Sequence, residues 1–491
     1  MGIRKAASTL TSLERIARRY GRGLAARKLL LLAALDTARF VTAGQVRRLH
    51  ELLCFLDAYP DDRMVRGRAR RMLRGFARRP DLRRHRDALA GSGIAGTDTP
   101  YRFFWPTAYW ITQQWPGALW LDRKDKEATR EIIAALPQLV GPPQPARLKR
   151  RKVTNLTALD TLRPRGVTDA EFLVGLIAGM PGDEFSREAF GDRLDLSYVL
   201  RAGRGTPERT TARFDRGAVH FQTTELQTAR PDLRVAARHA PLHVHALRGR
   251  EAESVIRLAR VSMITRERDL AAFQFASPHD VFLVDDGQGL VFAMMGMTPS
   301  RRALLPATYA ALTLKNGVPI GYVQVDLLGR HAALHFNTFE TFRGAEAARV
   351  FGRLVAMVRR VFGCDEFSIE PYQLGAGNEE GIASGAWWFY HRLGFRPRSA
   401  DARRIEAREL ARRREKSSYR SLPRTLRQLA RSHLFFALDP ARRARLPRTD
   451  RWSAGERKLP LRLAHAKAGR SERDFQRLLL RDKHLRALLD C

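Results

Sequence analysis

AALHFNTFETFRGAEAARVFGRLVAMVRRVFG, residues 332–363, changes periodicity midway, and that change decides the fold class. Up to Phe339 apolar and polar residues alternate, Leu334 and Phe336 against His335 and Asn337. A period of two is that of a strand with one buried face, here expected from Ala332 to Phe339. Further on, Val350, Phe351, Leu354, Val355, Val358, Val361 and Phe362 fall on one stripe, with Arg349, Arg353, Arg359 and Arg360 mostly opposite. That is the pattern of an amphipathic helix.

On the N-terminal side, YAALTL and PIGYVQVDLL flank KNG, and Asn316-Gly317 suits a two-residue type I′ hairpin turn. DVFLV and LVFAMM flank the DDGQG turn as another hairpin, and on the C-terminal side EFSIEPY reads as a strand and SGAWWFYHRLGF, residues 384–395, as a helix. Hairpins followed by strand, helix, strand and helix predict an α+β domain, a mixed and mostly antiparallel sheet with packed helices.

At 491 residues the chain exceeds what one core organises, so several domains are expected. Residues 1–140 read as a basic helical domain, from segments such as ARKLLLLAALDTARFV and RMVRGRARRMLRGFARR. Within it Trp105, Trp110, Trp115 and Trp120 recur every five residues, which fits neither a helix face nor a strand face and points to a hydrophobic cluster. GPPQPARLKRRK, residues 141–152, is a linker by composition. Residues 153–240 mix weak helix and strand signals, 241–400 hold the sharp α+β pattern, and 401–491 return to basic helices, SLPRTLRQLARSHLFFAL among them.

The chain carries 88 Lys and Arg against 51 Asp and Glu, a net charge of +37. Such an excess neutralises phosphates and releases counterions, so a polyanion is a candidate partner beside the plainer reading of a solvated basic surface. Cys54, Cys364 and Cys491 lie far apart, without metal-ligand spacing, which fits a reducing compartment. The longest apolar run, Leu29 to Leu35, is too short to span a bilayer, and a cytoplasmic protein is the expectation. His243 and His245 in RHAPLHVH would share a strand face, but no carboxylate motif or nearby Cys completes a zinc set, and no cluster in the sequence demands a metal.

Two stretches carry a resemblance to a known family. Ala386-Trp387-Trp388-Phe389-Tyr390-His391-Arg392-Leu393-Gly394-Phe395 matches the A-x-x-F-Y-x-x-x-G-F signature of the GNAT superfamily, the acyl-CoA-dependent N-acyltransferases. Phe342-Arg343-Gly344-Ala345-Glu346-Ala347-Ala348 lies where that family has its Q/R-x-x-G-x-G/A pyrophosphate loop. The similarity covers about 240–400, a third of the chain. It implies that Arg343, Gly344, Ala345, Glu346, Ala347 and Ala348 hold the pyrophosphate of acetyl-CoA or another acyl-CoA. It also implies that Tyr390 protonates the departing thiolate.

The loop has its own physical rationale: a strand-to-helix turn offers unpaired N–H groups and the positive end of a helix dipole. Glu346 departs from the pattern, since it replaces the family's central glycine and sets a carboxylate at the phosphate position unless the side chain turns to solvent. The family's Asn, three residues before the motif's first Ala, is Ala383 here; Asn378 stands further back in an apparent insertion. For a base that deprotonates the amine, His335, Glu340 at the strand's end and Glu370 on the next strand are candidates.

Three functions follow: acyl transfer from acyl-CoA to an amine by direct attack; a catalytically decayed GNAT-like protein whose Arg-rich helices bind nucleic acid or another polyanion; or acyl or aminoacyl transfer from a carrier other than CoA.

Overall fold

The computed structural model describes residues 3–140, 156–238, 243–441 and 459–482. The expected linker 141–152, His239 and Cys491 lie outside them. The chain forms two compact units, one from residues 1–214 and 257–274, the other from 215–256 and 275–491.

The first unit opens with helices α1 (Ile3–Ala17), α2 (Leu24–Asp36), α3 (Ala43–Ala58) and α4 (Arg63–Arg74). A reciprocal cap between Thr42 and Gln45 starts α3, and Asp62 caps α4. Leu10, Leu13, Leu32, Leu49, Leu53 and Leu73 meet in a core without solvent exposure of note. Much of the arginine here is internal fastening. Asp57, 1% exposed, takes Arg66, Arg70 and Arg213, while Arg79 binds Asp81 through two nitrogens. A second core gathers Trp105 and Trp115 around a small antiparallel sheet of β1 (Thr99–Tyr101), β2 (Leu119–Leu121) and β3 (Tyr198–Leu200), in the order β1-β3-β2. Three of the four regularly spaced tryptophans thus serve a core, Trp110 packed at its edge, while the partly exposed Trp120 lies under Arg201 instead.

The second unit is built on a nine-stranded sheet: β4 (His243–Leu247), β5 (Ala276–Asp285), β6 (Leu290–Met297), β7 (Ala307–Lys315), β8 (Val318–Leu328), β9 (His331–Thr338), β10 (Glu366–Ile369), β11 (Arg396–Pro397) and β12 (Leu434–Ala437). Its order is β11-β12-β10-β9-β8-β7-β6-β5-β4. All neighbours are antiparallel except β9 and β10. The α+β class and the mostly antiparallel sheet are as the sequence pattern dictates. Asn316 and Gly317, both with positive φ (49° and 82°), turn β7 into β8 as the Asn-Gly pair requires.

Helix α5 (Ala347–Phe362) connects β9 to β10 and buries the expected stripe. Gly363 ends it in the left-handed conformation, φ 75°. Helix α6 (Ala386–Arg392) follows β10, and α7 (Ala400–Glu415) and α8 (Pro423–Leu429) follow β11. One expectation is corrected here. SHLFFAL does not continue a basic helix: Leu434–Ala437 is a strand that pairs antiparallel with β10, a choice set by tertiary pairing rather than by local periodicity. No described helix is long and apolar enough to cross a membrane.

Candidate functional site

The sheet opens at its one parallel pair. β9 and β10 are in register only from His331/Glu366 to Ala333/Ser368. β9 runs on to Thr338, paired with β8 as far as Gly321, while β10 ends at Ile369. The β10-side edge from Leu334 to Thr338 therefore has no strand beside it among the described residues.

On one face of this opening the hairpin register sets Gln324 opposite His335, with Asp326 two residues along β8. His335 Nε2 and Asp326 Oδ2 are 2.9 Å apart, and His335 Nδ1 lies 3.8 Å from Glu370 Oε2. Thr308 Oγ1 donates to Asp326 Oδ1 at 2.7 Å and Gln324 Nε2 donates to both its oxygens, so the carboxylate is held from three sides. Burial alone would lower the pKa of His335. The Asp326 hydrogen bond and the charges of Asp326 and Glu370 outweigh it and raise the value above that of a free histidine. Asp326 answers in kind: burial pushes it up, the bonds to His335, Thr308 and Gln324 push it down further, and it ends below its usual range.

Asp326, His335 and Glu370 can each offer a donor atom within 4.8 Å of the others, so a divalent metal could be held here. The sequence contained no local motif for this set; the strands assemble it. Nearby on β9 and β10, Asn337 Oδ1 and Ser368 Oγ are buried without a hydrogen-bond partner. His335 and Asn337 hold alternate positions of β9, and Glu370 follows directly after Ile369, the last residue of β10, at the N-cap position of the short helix Pro371–Leu374.

On the other face, Phe336 packs against Phe351 of α5 (5.4 Å between centroids) and against Phe389 (6.4 Å) of α6. Tyr390 belongs to this aromatic group, 5.4 Å from Phe351 and 6.0 Å from Phe395. It is 3% exposed, and burial pushes its phenol pKa up, so the group is protonated at neutral pH. Its hydroxyl has no hydrogen bond among the described residues, so the ring is core while the O–H is uncommitted. Trp387 Nε1, in the same helix, is likewise buried without a partner.

The loop candidates separate. Gly344 has φ 73°, a conformation that favours glycine, and Ala345 is buried. No side chain caps α5, so the first-turn N–H groups of Ala347, Ala348 and Arg349 keep no intrahelical acceptor. Arg343 is exposed and its guanidinium pairs with Glu380 and donates to the Thr338 carbonyl at 3.2 Å. Glu346 does not point to solvent. It is 3% exposed and turned beneath the helix, where Lys315 Nζ, itself on a 1% exposed side chain, lies 3.4 Å away. Arg349 lies 3.8 Å from the same carboxylate, and Gln227 N–H donates to it at 3.4 Å. The partner Lys315 was invisible in the sequence because it sits 31 residues earlier, at the end of a strand.

Glu340 is exposed on a 3₁₀ turn, outside the His335 cluster. Asn378 caps the short helix Glu379–Ser384 by accepting from Gly381 N–H at 3.1 Å, a structural duty. His243 and His245 stack on the edge strand, 6.5 Å apart, and are exposed. Cys54 is buried, which pushes its thiol up to about 12; burial raises Cys364 further, so neither is a ready nucleophile.

Comparison of the chain with protein-family models, with curated proteins and with solved structures gives no match.

Proposed function

We propose that the second unit transfers an acyl group from an acyl-CoA to an amine. The observation that carries the reading is the parting of β9 from β10 beside the uncapped N-terminus of α5. A gap between strands can take an extended pantetheine arm, whose amides hydrogen-bond to free strand edges. Three aligned N–H groups on a sixteen-residue helix favour a pyrophosphate at its mouth. The inward turn of Glu346 supports the same reading, because the carboxylate is neutralised by Lys315 and leaves the loop to the small residues Gly344, Ala345, Ala347 and Ala348.

In this reading the amine nitrogen attacks the thioester carbon, and His335, oriented by Asp326, takes the proton that nitrogen must lose. The tetrahedral adduct then collapses with cleavage of the C–S bond, and Tyr390 gives its proton to the thiolate. A phenol kept protonated by burial suits that last step.

Calorimetric titration of the whole protein with acetyl-CoA and longer acyl-CoAs tests the proposal, beside an Ala347→Asp variant. An acid in the first turn suits the helix dipole, so the variant keeps its fold while repelling phosphates. Saturable binding at roughly micromolar Kd that disappears in the variant is the expected result. Absence of binding by the native chain, or equal binding by both, overturns it.

A further inference from the structure

Around Trp388 the second unit collects more cations than acids. Arg413 stacks on the indole, its Cζ 3.9 Å from the ring centroid, and its Nε is buried without a partner. Arg392 is anchored by its Nε, which donates to the Trp388 carbonyl at 3.0 Å, leaving the two terminal nitrogens outward. The indole N–H donates to Ser421 Oγ at 2.9 Å, which brings the neighbouring Arg420 to the same spot, where it donates to the Tyr419 carbonyl at 3.0 Å. All these partners are neutral. Of the carboxylates on α7, Glu406 lies 2.5 Å from His391, and the buried Glu409 holds Arg412 and Tyr419 and acts on Arg413 by its charge.

Arg392 feels the result. Burial, then the charges of Arg230, Arg413 and Arg420, lower its pKa from the usual arginine value; burial with Arg420 does the same to Arg413, against the opposing charge of Glu409. Four guanidiniums repelling one another, with one buried nitrogen left unpartnered, form an arrangement that an external anion would stabilise.

The cations do not stop at this spot. Arg403 and Arg414, on one side of α7, then Lys416 and Arg424 beyond it, are exposed and carry no ion pair among the described residues. From Arg403 to Arg414 the helix rises about 16 Å, too extended for a single small anion and suited to a chain of phosphates. We infer that Arg392, Arg413 and Arg420, with Arg230 and with Arg403 and Arg414 of α7, form a docking surface for the phosphodiester backbone of a nucleic acid. Arginine is the fitting residue, because its planar fork meets two phosphate oxygens at once. With contacts to phosphates alone, binding is independent of base sequence. The inference stands apart from the acyl-transfer reading, since it uses neither the strand opening nor the loop at Gly344.

The test is fluorescence anisotropy of the whole protein with a labelled 20-base-pair DNA duplex and, separately, a 20-nucleotide single-stranded RNA, across a salt series. For the native chain, log K should fall linearly with log salt. In Arg392→Gln/Arg413→Gln/Arg420→Gln the slope should be shallower by about 2–3, the share of three phosphate contacts. Arg392→Glu/Arg420→Glu keeps the Arg413 stack on Trp388, and should weaken binding at least as strongly should the triple variant fold poorly. A control, Arg63→Gln/Arg71→Gln/Arg74→Gln, removes equal charge from the exposed side of α4 in the first unit and should leave the slope unchanged. No binding to either probe at low salt, an unchanged slope in the folded variants, or an equal loss in the control overturns the inference.

Discussion

Replacing Glu346 with glutamine leaves the Lys315 ammonium buried beside Arg349 with its closest carboxylate gone. Removing one partner of a buried pair costs about 3–5 kcal/mol. A ceiling comes from lysine itself, which can shed its proton instead: from an ordinary pKa near 10.4 that costs about 4.6 kcal/mol at pH 7 and about 2 kcal/mol at pH 9. In the native chain burial already lowers the pKa of Lys315, with Glu346 opposing that shift, so the variant lowers it further. The unfolded chain then binds a proton that the folded one does not, and stability rises with pH until the unfolded lysine titrates. The deficit of Glu346→Gln should thus be about 3–4 kcal/mol at pH 7, a loss of about 6–16 °C in Tm for a unit of this size. At pH 9 it should be no more than about 2 kcal/mol. Scanning calorimetry at the two pH values reads both. Lys315→Met/Glu346→Leu, which removes both charges, should recover most of the loss. A deficit below about 1 kcal/mol at pH 7, or one that grows with pH, refutes the buried pair.

Asp326→Asn should lower the His335 pKa, shifting the acidic limb of the pH–rate profile to lower pH and cutting the maximal rate by about 10–100-fold; an unmoved limb removes His335 from the proton transfer. The raised pKa of His335 also adds stability that is full below the unfolded histidine's pKa, about 6.5, and is lost as pH rises through the folded value. Tyr390→Phe should leave stability within about 0.5 kcal/mol, because the hydroxyl has no bond to lose, while acyl transfer slows by about 10–100-fold. A stability loss above 2 kcal/mol would show the hydroxyl to be bonded after all.

Local pattern carries the elements whose partners are their neighbours in sequence. The β7–β8 turn is written in Asn316-Gly317, and α5 in its valine and phenylalanine stripe. β12 is hidden because LFFA suits a buried helix as well as a strand, and only β10 decides between them. The site divides in the same way. Alternation identifies the face that His335 occupies, and a tight turn between Leu328 and His331 fixes the register that sets Gln324 across from it. Tyr322, Gln324 and Asp326 at every second position of β8 were the signal for the partner of His335, legible once that turn is drawn. No local feature announces Lys315 under Glu346, since helix and strand ends meet there only through the packed sheet.

The division of the chain has a consequence for its synthesis. Unit boundaries fall at 214/215, 256/257 and 274/275, so each unit is sewn from two stretches. Asp269 accepts from the Phe104 N–H and from the Thr107 hydroxyl, tying the late stretch of the first unit to its early one. On the ribosome, the N-terminal unit must wait for residues that emerge after the second unit has begun. No single stop codon or protease cut releases either unit whole, and a gene fragment ending at 214 encodes a core that lacks its closing piece.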